Sequence, residues 1–125
     1  MLYIIDRSIG AIKRAEEQGL RTVLPKGNQL LIDLDSEEQY QTYLKRFARV
    51  QESLFIQEVY NQPSKSGLPK RHIIIELEKS IDVRERLILQ LYLGSDPIRE
   101  FLSYLRFLQD DPFPSLFFEK KEDTK

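Results

Sequence analysis

The clearest alternation of apolar and polar residues in this chain lies in the segment LLIDLD at positions 30–35. Successive side chains of a β-strand point to opposite faces, so Asp33 and Asp35 share one face while Ile32 and Leu34 share the other. The pattern predicts a strand with one buried apolar face. Its second face presents two carboxylates.

Helical periodicity follows directly after this strand. Ser36 is typical of an N-cap, and the acidic residues Glu37 and Glu38 in the first turn favour a helix that runs to about Val50. Its apolar positions recur every three or four residues and are expected in the core: Tyr40, Tyr43, Leu44 and Phe47.

The rest of the chain alternates strand-like and helix-like segments. Strands are predicted over 53–60 and 71–77, joined by a loop rich in turn residues, and a last strand over 115–119. A helix is predicted over 81–93, and Asp96-Pro97 indicates the start of another. The apolar stripe of that last helix would be Ile98, Phe101, Leu102 and Leu105. Nearer the N-terminus, Ser8 is expected to cap a helix that ends at Gly19, and residues 22–24 to form a short strand.

This order of elements predicts an α+β fold, the ferredoxin-like βαββαβ sandwich that RNA-recognition-motif (RRM) domains also use. Its usual strand order places the aspartate strand in the centre, between the strand that contains His72 and the strand that ends in Glu119. The helices then cover one face of the sheet and leave the other open. We expect a single domain over 1–125, with an N-terminal extension (1–27), an RRM-like core (28–120) and a charged tail (121–125).

Composition narrows the function classes. The chain has 125 residues, 41% hydrophobic and 31% charged, which is typical of a soluble globular protein. A net charge of -1 means that contact with nucleic acid would need a local basic patch. With no cysteine, disulfides, thiolate zinc sites and cysteine nucleophiles are excluded. Because no apolar run approaches the length of a membrane span, we expect no membrane association and a cytoplasmic location.

The alternation of side chains along residues 71–77 predicts that a further polar residue lies near the aspartates. If the aliphatic set Ile73, Ile75 and Leu77 faces the helices, His72 lies on the open side together with Asp33 and Asp35. Two close carboxylates repel each other unless a cation lies between them, and Mg²⁺ or Mn²⁺ prefers such oxygen ligands. The alternative is that these acids are solvated strand-end residues.

The neighbouring hairpin adds donors suited to phosphate. Ser66, Lys70, Arg71 and His72 could bind a triphosphate whose remaining oxygens are neutralised by the cation, as nucleotidyl transfer requires. A third carboxylate is expected near the metal. Glu119 is the first choice, ahead of Glu76 and Asp96.

The LIDLD strand, followed by the Ser66-Gly67 turn and Lys70-Arg71-His72 at the start of an apolar strand, resembles the archaeo-eukaryotic primase (primase-polymerase) superfamily. The resemblance covers residues 28–120, and the segment 93–100 is similar to phage- and plasmid-type members. It implies that Asp33 and Asp35 bind catalytic Mg²⁺ or Mn²⁺ and that His72 contacts the phosphates of the incoming nucleotide.

The resemblance therefore implies a minimal primase-polymerase-like nucleotidyltransferase in DNA replication. Its partners would be a nucleoside triphosphate, a single-stranded DNA template and replication proteins. The alternative is a catalytically inactive RRM-like nucleic-acid- or protein-binding module of a mobile element or phage. Arg99 and Arg106 are expected on a solvated helix face or as ion-pair partners, and would line a template groove if that helix borders the open face. Phe117 or Phe118 is the candidate for stacking on a base.

Overall fold

The structure, a computed structural model, describes residues 7–64 and 67–120, without the side chains of residues 117, 119 and 120. Within these ranges the α+β class is confirmed, with four helices and five strands. In chain order they are α1 (Ser8–Glu17), β1 (Leu20–Val23), β2 (Gln29–Leu34), α2 (Glu37–Val50), β3 (Ile56–Pro63), β4 (Arg71–Leu77), α3 (Val83–Tyr92), α4 (Pro97–Leu108) and β5 (Phe117–Lys120).

The strands form two antiparallel sheets. One is three-stranded in the order β2-β4-β3, and the other pairs β1 with β5. The predicted pairing of the aspartate strand with the His72 strand is confirmed, since Asp33 lies opposite His72. The central position predicted for the aspartate strand is wrong, because β4 occupies the centre of this sheet.

One face of the three-stranded sheet forms the main core, and we call it the covered face. Its side chains from β2 and β4 are at most 3% exposed and pack with Tyr43 of α2 and with Leu93, just after α3. They are Leu30, Ile32, Leu34, Ile73, Ile75 and Leu77. The assignment of faces from alternation is thus confirmed. Burial of each such side chain contributes roughly 1.5–3 kcal/mol, which makes this face the main source of stability.

Two of the three predicted N-cap residues form the expected hydrogen bond with the first turn of their helix. Ser36 accepts a hydrogen bond from the Gln39 N–H at 3.1 Å, and Asp96 accepts one from the Ile98 N–H at 3.2 Å. The expectation for Ser8 is wrong, because the N-cap position of α1 belongs to Arg7. The Ser8 N–H donates instead to Asp111 Oδ2 at 2.8 Å, and its hydroxyl donates to Asp111 Oδ1. A carboxylate from the far end of the chain therefore satisfies the start of α1.

The outer edge of β2 explains why the predicted fourth strand is not beside it. The N–H groups of Leu31 and Asp33 donate to Gln90 Oε1 at 2.8 Å and to Ser95 Oγ at 3.0 Å. The Asp33 carbonyl accepts from the Asp96 N–H at 2.8 Å, and the Gln29 carbonyl accepts from Arg86 Nε at 3.0 Å. These contacts occupy the positions at which another strand would pair.

The expectation that the Glu119 strand flanks the aspartate strand is therefore wrong. Glu119 lies in β5, where it is the register partner of Arg21 in β1. Together with the contact between Ser8 and Asp111, this pairing joins the described part of the N-terminal segment, residues 7–27, to the C-terminal part of the domain.

The predicted apolar stripe of α4 is confirmed for Leu105 and wrong for its other three residues. Ile98 and Phe101 are 71% and 56% exposed, whereas the buried positions are Glu100, Ser103 and Leu105. The reason is that α4 turns a polar side towards the capped edge of β2. Its apolar side forms an exposed groove of about 340 Å³ with α3. No helix within the described ranges is both long and apolar enough to cross a membrane.

The other face of the three-stranded sheet, which we call the second face, is less open than predicted. Leu31 is fully buried and His72 is 5% exposed. Residues of β1 line a cavity together with second-face residues of β3 and β4, so the small sheet lies against this side. The predicted sandwich has no counterpart to this β1–β5 layer.

Candidate functional site

Asp33 and His72 form the centre of the candidate site. They are register partners on β2 and β4, and the distance from His72 Nε2 to Asp33 Oδ1 is 3.7 Å. The side chains are 7% exposed for His72 and 21% for Asp33. The strands thus hold an imidazole and a carboxylate side by side, with the carboxylate partly open to solvent.

The surroundings of Asp33 favour its protonated form. The pKa of Asp33 is raised to about 6, mainly by burial and also by the carboxylates of Asp35 and Asp96. The Arg99 guanidinium and Lys70 act in the opposite direction and lower it. The carboxyl group therefore gains and loses its proton close to neutral pH. A site with such a group is a candidate for binding a cation or for proton transfer.

Asp35 lies just beyond the end of β2. Its N–H donates to Gln39 Oε1 at 2.6 Å, which fixes the chain where the strand passes into α2. Its charge disfavours ionisation of Asp33, so the two carboxylates interact electrostatically, as their spacing predicts.

Arg99 is confirmed as an ion-pair partner, whereas the solvated position that was the other expectation is wrong. Its side chain is 15% exposed, and Nε lies 4.0 Å from Asp33 Oδ2. Nη1 donates to Glu100 Oε1 at 2.7 Å, and Nη2 donates to the Leu116 carbonyl at 2.9 Å. The expected solvated position is excluded because α4 packs against the edge of β2. Nothing in the sequence distinguishes Arg99 from an ordinary surface arginine.

Behind Asp33 lies a buried polar network. Glu100 is 4% exposed, and its two carboxylate oxygens accept from Gln90 Nε2 at 3.1 and 2.6 Å. Burial raises the pKa of Glu100 despite its contacts with Arg99 and Gln90. The Arg99 guanidinium therefore lies between two carboxyl groups, of which Asp33 is the more exposed. This network fixes the backbone of β2 through Leu31 and supports Asp33 from behind.

The predicted phosphate-binding residues are divided between the two faces. Lys70 is exposed, and its charge lowers the pKa of Asp33, so it lies on the side of the site. The Arg71 guanidinium lies 4.1 Å from the centre of the Tyr40 ring, on the covered face. Alternation accounts for this difference, since Arg71 directly precedes His72 in β4. Ser66 lies outside the described residues.

A metal ion could use the carboxylate oxygens of Asp33 and Asp35 in this site. The described part of the chain contains no group of three or more His, Asp or Glu side chains arranged to hold a metal. The side chain of Glu119 lies outside the described residues. The Glu76 carboxylate accepts a hydrogen bond from Nε2 of its register partner Gln29 at 3.3 Å, four residues along β4 from His72.

Asp96 is the acid that the fold brings to Asp33. Its N–H donates to the Asp33 carbonyl at 2.8 Å, and its charge raises the pKa of Asp33. The donor chemistry of Asp33 and Asp35 fits a hard divalent cation, with Asp96 as a further carboxylate whose charge acts on Asp33.

Comparisons with family models, with curated proteins and with solved structures found no match for this chain.

Proposed function

We propose that this chain is a minimal primase-polymerase-like nucleotidyltransferase that acts on nucleoside triphosphates through Asp33, Asp35 and His72. The observation that supports the proposal is the register of β2 and β4, which sets Asp33 opposite His72 with Asp35 and Lys70 close enough to influence its charge. Nucleotidyl transfer requires a cation site of carboxylates beside donors for phosphate.

In this proposal each residue has a distinct role. Asp33 and Asp35 would hold Mg²⁺ or Mn²⁺, which when bound supplies charge neutralisation at the phosphate oxygens. His72 donates to a phosphate oxygen, and the exposed Lys70 attracts the triphosphate by its charge. Arg99 and Glu100 act on Asp33 from behind, because they fix its position and its share of negative charge.

The proposal includes the finer fold. The order β2-β4-β3 matches the order of the first, third and second strands in a ferredoxin-like sheet, which supports our proposal that residues 28–120 form a variant of that fold. In this variant the hydrogen bonds to α3 and α4 replace the fourth strand at the edge of β2. The partners would be a nucleoside triphosphate, a single-stranded DNA template and replication proteins, in the cytoplasm.

The test is primer synthesis on single-stranded DNA with Mn²⁺ by the Asp33→Ala/Asp35→Ala variant. We expect this variant to keep the thermal unfolding transition of the wild type and to lose synthesis. The matched control is Glu37→Ala/Glu38→Ala, which removes two exposed carboxylates from the first turn of α2 and should keep synthesis. Equal synthesis by all three proteins would contradict the proposal.

A second candidate function is a catalytically inactive nucleic-acid- or protein-binding module of a mobile element or phage. The position of Arg99 favours it, because a guanidinium 4.0 Å from the Asp33 carboxylate already supplies part of the positive charge that a metal would bring. Wild-type protein that binds nucleic acid but shows no metal-dependent binding of nucleotide would support this candidate over the first.

A further inference from the structure

A cavity of about 470 Å³ lies on the second face, between β1 and the side chains of β3 and β4. Tyr60 and Gln62 of β3 line it together with Ile74 and Glu76 of β4. Gln62 is the register partner of His72, so the cavity begins one residue pair away from the candidate site. The two therefore form one continuous stretch of the same face.

The walls of the cavity combine an aromatic ring with polar groups. Tyr60 is 43% exposed, and its hydroxyl donates to Glu58 Oε2 at 2.8 Å, a contact that orients the ring. Across β4, Ile74 supplies an apolar surface beside the Glu76 carboxylate. Lys26, at the rim, is exposed and carries a positive charge. A flat ring with amino groups and a phosphate nearby would match all of these features.

Thr22 of β1 adds a polar group without a partner. Its hydroxyl oxygen is buried and makes no hydrogen bond with the described residues, and Thr22 lines the same cavity. A buried hydroxyl without a partner costs free energy. The Glu76 carboxylate is the hydrogen-bond acceptor among the cavity's lining residues that the proposal uses.

We propose that this cavity binds the base of a nucleotide, with the ring of Tyr60 against the base and Lys26 near its phosphate. The class of ligand rests on the proposed function, because the cavity adjoins the residues assigned to the triphosphate. Two ligands contain such a nucleotide: the incoming nucleoside triphosphate and a strand of single-stranded DNA. The Glu76 carboxylate accepts from an amino group of the base, as adenine provides.

The experiment measures two ligands on each variant. Binding of a short fluorescein-labelled oligodeoxyadenylate is followed by anisotropy, and binding of ATP with Mn²⁺ is followed by calorimetry. Tyr60→Ala should weaken at least one of them about tenfold or more, the size of effect typical when a stacked aromatic is removed. Tyr60→Phe keeps the ring and should bind within about twofold of the wild type.

The matched control is Tyr104→Ala, which removes a tyrosine of similar exposure, 45%, from the outer side of α4. Loss of oligonucleotide binding assigns the cavity to the strand, and loss of ATP binding assigns it to the incoming nucleotide. If Tyr60→Ala binds both ligands as Tyr104→Ala does, the inference is overturned while the proposed function stands. If Tyr60 governs oligonucleotide binding but no metal-dependent synthesis occurs, the proposed function fails alone. Wild-type protein that binds neither ligand overturns both.

Discussion

The two faces of the three-stranded sheet are built from the same strands by different physical means. On the covered face, aliphatic side chains such as Ile73 and Ile75 are fully buried and stabilise the fold by exclusion from water. On the second face, Asp33 and His72 lie side by side, and the backbone of β2 is fixed there by hydrogen bonds that it donates to Gln90 of α3 and to Ser95 between α3 and α4. Because side chains alternate, one strand can place its stabilising apolar residues on one face and its polar site residues on the other. Substitutions on the two faces should therefore have separable effects.

The largest effect is expected for Ile73→Ala on the covered face. Ile73 is fully buried, so its truncation leaves a cavity and should lower the free energy of unfolding by about 2–5 kcal/mol. The matched variant is Ile74→Ala, the next residue of β4, which lies on the second face and is only partly buried. Urea denaturation should show a clearly smaller loss for Ile74→Ala. Equal losses would mean that the two faces do not differ as described.

A somewhat smaller effect is expected for Gln90→Leu. This change keeps the approximate volume of the side chain but leaves the Leu31 N–H without its acceptor and Glu100 without its amide donor. Buried groups without partners cost about 1–3 kcal/mol each, so the free energy of unfolding should fall by about 2–4 kcal/mol. Gln51→Leu, at an exposed position after α2, is the control and should change little. Similar stability of both variants would contradict the role of the network.

The smallest effect concerns pH. The pKa of Asp33 is about 6 in the folded protein and near the ordinary value of 3.8 in the unfolded chain. Between these values the folded state binds more protons, so this residue adds stability below about pH 4 that is lost as the pH rises through about 6. The loss should be at most about 3 kcal/mol.

Asp33→Asn carries no titratable group at this position, so its stability should fall less than that of the wild type between about pH 4.5 and pH 7.5. Glu100, whose pKa is raised in the same direction, remains in the variant and leaves a residual slope. Urea denaturation at both pH values measures the difference. Parallel pH profiles for the two proteins would show that Asp33 is not held in the environment described.

Much of the fold could be predicted from the sequence because faces follow from periodicity. Alternation in β2 and β4 assigned Ile32, Leu34 and the aliphatic set of β4 to the core, and the same parity put His72 beside Asp33. It could also have separated Arg71 from His72, since neighbours in a strand point to opposite sides. Proximity along the chain had suggested that they act together.

Strand edges could not be predicted in this way. The hydrogen bonds at the edge of a strand do not produce a periodic pattern in the sequence. The bonds between the edge of β2 and the side chains of Gln90, Ser95 and Arg86 could therefore not be predicted. Most of the apolar stripe of α4 could not be predicted for a related reason. Helical periodicity assumes that the apolar side is buried, whereas α4 buries Glu100 and Ser103 against that edge and exposes Ile98.

The most direct test of the proposed function is calorimetry of the wild-type protein with Mn²⁺ and a nucleoside triphosphate, compared with Asp33→Ala/Asp35→Ala. We expect heat of binding that requires Mn²⁺ in the wild type and is absent from the variant, because the variant lacks both carboxylates of the proposed cation site. Nucleotide binding that is the same with and without Mn²⁺, or that the variant retains in full, would contradict it.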